Sequence, residues 1–258
     1  MGHNHFPALP TTRRWREVVE LISVGGDIYE IASASARAAE KQLERAHLDP
    51  VYRSAVELLF RIPLAAREDG FGRALREIGL PVGEAPDLTD IIFAAGEWLD
   101  QAAREGSRAG DFGELSRRAL LSALSNRIGA ELPGLFDATA GEVARAARRF
   151  ASPRDFTALV RSFYTRLVTE TLSSFLDREL ASHVGPGRRF ANSGIRSAFD
   201  DALHDHSYET TRIIHEFTAG WHGHHVVGRP DVTSTELATF GYSALAKVLA
   251  ELRRRDDG

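Results

Sequence analysis

The stretch from residue 153 to 183 limits the possible folds more than any other part of this chain. Ser152-Pro153 opens it with an N-cap hydroxyl followed by proline at the first helical position, and the loop GPGRRFANSG begins only at Gly185. Between them Phe156, Val160, Phe163, Leu167, Leu172, Phe175 and Leu176 recur at helical spacing and form a wide apolar stripe. At 1.5 Å per residue such a helix runs about 45 Å, the length of a spine around which other helices pack.

The same periodicity organises the rest of the chain. Trp15, Val18, Val19 and Ile22 predict a helix from Thr12 that Gly25-Gly26 stops, and Asp27 caps the next, 27–47. Asp49-Pro50 starts a helix that Pro63 should end or kink, because its ring removes a donor and clashes one turn back. Helices are further expected over 71–79, 87–105 behind Asp87, 115–132, 140–150, 195–219, and 235–254 behind Thr233 or Ser234. No alternating β pattern, Asn-Gly hairpin or clear internal repeat is present. The expected fold is all-α, a multi-helix bundle of about eight to ten helices, with a helical-repeat-like arrangement open. Residues 1–12 read as a flexible segment, and 13–255 as a single helical domain with a sub-boundary conceivable near 133–152.

Composition excludes whole classes of chemistry. The chain has no cysteine, so thiol catalysis, disulfides and cysteine-ligated metals are ruled out. A formal net charge of −4 gives no global attraction to nucleic acid. The N-terminal MGHNHFPALPTTRRW lacks the apolar run of a secretory signal, and no stretch reaches the length of a membrane span. A cytoplasmic location without membrane contact is therefore expected. Basic residues are almost all arginine, with Lys41 and Lys247 the exceptions, which together with abundant Ala and Gly points to a GC-rich bacterial genome.

The chemically loudest segment is 200–225, which holds His204, His206, His215, His222, His224 and His225. On a helical wheel His206 lies on the apolar face with Ile195, Phe199, Ala202, Ile213 and Phe217. His204 and His215 share the opposite face but lie about 16 Å apart along the axis, too far for one ion. His206 is therefore expected to be a core or interface histidine. His222, His224 and His225 could chelate from an irregular turn after Gly220, and Asp200 can converge with His204. His215-Glu216 is not a zinc-protease motif, since position 219 is Ala219.

Ala202-Leu203-His204-Asp205 resembles the adjacent His-Asp dyad of all-helical metal-dependent phosphohydrolases. The resemblance implies a divalent transition metal on His204 and Asp205, completed by His183 and Asp231, with a metal-bound water as nucleophile. His206-Ser207 stand where that family carries small apolar residues and glycine.

Two arginine-rich features remain. In the loop after 183, Arg188 and Arg189 with Asn192 or Ser193 at the following helix start have the makings of an anion site, though Walker and Rossmann patterns are absent. Arg145, Arg148, Arg149 and Arg154 beside Phe150, and Arg13, Arg14 and Arg16 beside Trp15, could touch phosphates, but such spacing ordinarily marks the wet face of a helix. Nucleic acid is not the expected partner.

The expectation is a non-catalytic helical protein that binds another protein or a second copy of itself, as an adaptor or accessory subunit, without a cofactor. Wide apolar stripes such as 153–183 motivate it, and Trp221 with His222 is the expected contact. The alternatives are the metal-dependent phosphohydrolase and an anion or nucleic-acid site on the arginine-rich loop.

Overall fold

The computed structural model describes residues 13–106, 110–134, 138–185, 187–226 and 232–254, so the segment 1–12 lies outside it. The described residues form eleven helices: α1 Arg13–Ser23, α2 Ile28–Ala46, α3 Pro50–Ala65, α4 Phe71–Glu77, α5 Leu88–Glu105, α6 Asp111–Gly129, α7 Ala140–Arg149, α8 Pro153–Ser182, α9 Ser193–Thr210, α10 Arg212–His225 and α11 Ser234–Arg254. Among the described residues there is no strand, only an isolated parallel bridge between Val184 and Phe190. The protein is an all-α multi-helix bundle, and no described helix is long and apolar enough to cross a membrane.

Caps fall where side-chain chemistry places them. Asp27 with Glu30, Asp87 with Asp90 and Thr139 with Glu142 form capping boxes at α2, α5 and α7. Ser152 caps α8, with Pro153 in its first turn. The buried Asp49 carboxylate accepts from the Val51 and Tyr52 amides at 2.8 and 3.2 Å, and from the Gly110 amide at 3.1 Å. One side chain thereby ties the start of α3 to the start of α6. Pro63 sits in the last turn of α3, which ends two residues later at Ala65, as the missing donor requires. The sixth helix starts one turn earlier than its periodicity predicts and ends at Gly129, short of the expected break at Pro133-Gly134.

Two helices are surrounded. The 30 residues of α8 bury Phe156, Leu159, Val160, Phe163, Tyr164, Leu167, Leu172 and Leu176 against α2, α6, α9 and α10. The other, α3, packs on α4, α5, α6, α7 and α11. The long apolar stripe of α8 is therefore covered within the bundle, not left for a partner. A single buried cluster draws on all eleven helices, including Val143, Ala146 and Phe150 from the 133–152 region.

The two axes meet at a buried polar contact. The Tyr52 hydroxyl of α3 donates to the Gly241 carbonyl of α11 at 2.7 Å and lies 2.8 Å from the Tyr164 hydroxyl of α8. A carbonyl only accepts, so the single Tyr52 proton goes to Gly241 and Tyr164 donates to Tyr52. Burial pushes the pKa of both phenols up, with the neighbouring hydroxyl adding to the rise at Tyr52, so both remain protonated donors.

The donor order predicts unequal costs. Tyr52→Phe leaves the buried Tyr164 proton without its acceptor and removes the second bond of the Gly241 carbonyl, and should cost about 1–3 kcal/mol, whereas Tyr164→Phe leaves the Tyr52–Gly241 bond intact and should cost about 0.5–1.5 kcal/mol. Urea unfolding of the two variants checks the order; equal losses would show that the chain of donors is wrong.

Candidate interaction surface

The chemically loud segment forms two helices where its periodicity predicts one helix and a turn. Ser207, Thr210 and Thr211 turn their hydroxyls back onto the carbonyls of Leu203, His206 and Ser207 at 2.8, 2.8 and 3.0 Å. Such bonds compete with the backbone ladder and bend helices. Thr165 of α8 then holds the Thr211 hydroxyl at 2.7 Å in the core. The chain breaks at Thr211, and the expected helix 195–219 becomes α9 and the start of α10.

The expected irregular turn after Gly220 is helical to His225. Two glycines there cost about 1 kcal/mol each against alanine, and aromatic packing outweighs them. Trp221 meets Phe60 at 5.1 Å and Phe240 at 5.0 Å, and its ring stacks on His225 at 4.5 Å and 15°. His222 is 1% exposed, tilted against Phe156 at 5.1 Å. Trp221 is half-buried.

This geometry distributes the expected metal ligands. His204, Asp205 and His224 are exposed, His183 is half-buried at the C-cap of α8, His222 is enclosed, and His225 points its Nδ1 at Glu236, 3.4 Å away. Asp200 pairs with Arg196 at 3.0 Å, and that guanidinium also reaches Asp177 at 2.7 Å. Asp231 lies outside the described residues. Among the described residues no three His, Asp or Glu side chains come together as a metal site. As its wheel position predicts, His206 is fully buried, edge-on to Tyr29 at 5.1 Å.

The arginine-rich loop has a structural task. Arg189 donates to the carbonyls of Leu21 and Ile22 at 3.3 and 3.1 Å and of Gly26 at 2.6 Å, at the C-terminal end of α1. A cation suits that end, where the helix dipole gathers partial negative charge. Burial lowers the Arg189 pKa somewhat while Asp27 opposes the shift. Arg188 is exposed, Asn192 caps α9 by accepting from the Ile195 amide at 3.0 Å, and Ser193 is exposed in the first turn.

These bonds draw the α1–α2 turn, the 183–190 loop and the start of α9 into one corner of the bundle. These segments carry large apolar side chains in water, Val24 at 73%, Val184 at 43% and Ile195 at 45% exposure, while Tyr29, at 49%, stands farther along α9 beside His206. Val24 lies between the carbonyls that Arg189 binds, Val184 bridges to Phe190, and Tyr29 packs on His206 of α9. Sequence periodicity placed Ile195 on the buried face with Phe199; only Phe199 is enclosed, with its ring 5.3 Å from Phe190. Val24 was legible in one respect, as an apolar residue directly before Gly25-Gly26 and outside the Trp15, Val18, Ile22 stripe.

No protein-family model, curated protein or solved structure matches the chain. The corner geometry therefore stands without a relative to interpret it.

His222 gives the region a pH signature. Burial lowers its pKa most and the Arg67 charge adds to the fall, while the Ala151 carbonyl opposes them. The neutral ring is the folded form, so stability is full above the ordinary histidine pKa of about 6.5. It falls as pH drops below that value toward the lowered folded pKa, because the unfolded chain binds the proton more readily. His222→Gln should remove this component, giving a shallower loss of stability between neutral and mildly acid pH in denaturant titrations. An unchanged slope would place the acid sensitivity elsewhere.

Proposed function

We propose that this protein is a non-catalytic adaptor or accessory subunit that binds another protein through the corner formed by the α1–α2 turn, the 183–190 loop and the start of α9. The observation that carries the reading is the exposure of Val24, Val184 and Ile195 on segments that Arg189 ties together by its bonds to the α1–α2 turn. Contiguous apolar surface on a water-exposed face marks interaction sites, because leaving it wet forgoes about 25 cal/mol per Å2 of burial. A pinned backbone also limits the ordering cost of docking, which otherwise consumes much of the binding free energy. The expected contact on α10 moves accordingly: His222 is enclosed, and Trp221 is held among Phe60, Phe240 and His225.

Val24 and Ile195 are exposed, so replacing both with aspartate should change stability by only about 0.5 kcal/mol each. The expected result is that a partner associated with the wild-type chain at defined stoichiometry is weakened at least about tenfold by Val24→Asp with Ile195→Asp. Native mass spectrometry of the purified chain and its double variant measures this. A wild-type chain that stays monomeric and partner-free under native isolation, or a partner unaffected by the double variant, contradicts the reading.

A further inference from the structure

A second surface, on α5, combines a fixed indole, an acidic rim and an exposed phenyl ring. Gly79 follows α4 in the left-handed conformation, φ +98°, and closes its end with the Leu80 amide on the Leu75 carbonyl at 2.9 Å. The Trp98 ring lies directly on this glycine: a Cβ there would come within 2.3 Å of the indole. The half-buried indole is thereby fixed as one wall of an open groove of about 530 Å3, with Pro81 beside it and Glu97 and Glu105 on the rim. Arg104 is the cation among the lining residues, and its guanidinium is turned along the helix onto the Gln101 Oε1, at 3.1 and 2.8 Å. Gln101 in turn donates to Glu105. Among the described residues the lining thus carries two exposed carboxylates to one guanidinium. Phe93, 70% exposed, lies one helical turn before Glu97 and so extends the same face.

We propose that this groove binds an arginine side chain on an extended segment of a partner protein, with the guanidinium over the Trp98 indole and paired to Glu97 or Glu105. A planar guanidinium is the chemistry this arrangement fits best. It stacks on an indole through the ring quadrupole, and its fork of donors matches a carboxylate in a way a lysine ammonium does not. An anion would meet the acidic rim, and a purely apolar segment would leave both carboxylates facing hydrocarbon. Phe93 offers an apolar contact to a residue next to the arginine. This surface does not depend on the corner around Val24, and its partner segment is read out by different substitutions.

The test is a 1H–15N chemical-shift titration of the full chain with an acetylated, amidated Gly-Leu-Arg-Gly-Gly peptide, beside the same peptide with norleucine in place of arginine. The arginine peptide should shift the Trp98 indole N–H together with the Glu97 and Glu105 amides. The combined Glu97→Gln and Glu105→Gln variant, which alters only exposed carboxylates, should weaken it at least about tenfold, and added salt should weaken it further. Equal binding of the norleucine peptide would assign the groove to an apolar segment. The same shifts arising from concentration-dependent dimerisation would assign it to a second copy of the chain. Either of these overturns the proposal, as do shifts that avoid Trp98 or an affinity indifferent to the two glutamine substitutions.

Discussion

The meeting of Tyr52, Tyr164 and the Gly241 carbonyl is the constraint on which the rest of the bundle depends. Both hydroxyls lie fully inside, where an unpaired hydroxyl forfeits its bonds to water at a cost of about 1–3 kcal/mol. They are satisfied only if α3, α8 and α11 arrive in one register, with the donors running from Tyr164 through Tyr52 to Gly241. Apolar packing is tolerant of sliding by comparison. About 12 Å along α3 and α8 from this contact, Phe60 of α3 meets Phe156 of α8 and Phe240 of α11 at 4.6 and 4.9 Å, so the same three helices are joined twice, once by geometry-demanding polar groups and once by area.

Once these axes are fixed, the polar residues concentrated between 200 and 225 acquire structural tasks. Thr165 reaches from α8 to Thr211, at the point where α9 gives way to α10, and the kink lets α10 lie along α8 and bring Trp221 and His222 onto the aromatic cluster. Arg189 does comparable work at the other end of α9, placing a cation on the C-terminal carbonyls of α1 beside the Gly25 and Gly26 amides that also bind them. Several groups that look like chemistry in the linear order, among them His206, His222 and Arg189, are occupied in holding helices together, while the bundle leaves large apolar side chains uncovered at Val24, Ile195 and Phe93.

Helical periodicity and end chemistry made the fold class legible. Asp27, Asp49, Asp87, Ser152 and Thr233 each stand at a helix start, because a short polar side chain before an apolar run has one favourable place to be. His206 was legible as a core histidine from its wheel position alone. The break at Thr211 was not: three back-bonding hydroxyls look like ordinary helix residues until a partner from another helix, Thr165, selects the bent form. Nor was the burial of His222. Gly220 and Gly223 argue locally for a turn, and only the ring contacts of Trp221 and His222 with residues far away in the chain overrule them. The uncovered surfaces were the least legible part, since periodicity reports which face of a helix is apolar and not whether a neighbour exists to cover it.

The central claim is that the histidine-rich segment is an integral, packed helix of the bundle. Native-state hydrogen exchange tests it most directly, residue by residue. The account predicts that amides from Ile214 to His225 are protected to a similar degree as those of α8 between Leu159 and Leu172, and lose that protection together with them as denaturant is added. Exchange of residues 220–225 at the rate of an unstructured chain, while α8 remains protected, would contradict it and return His222 to the surface.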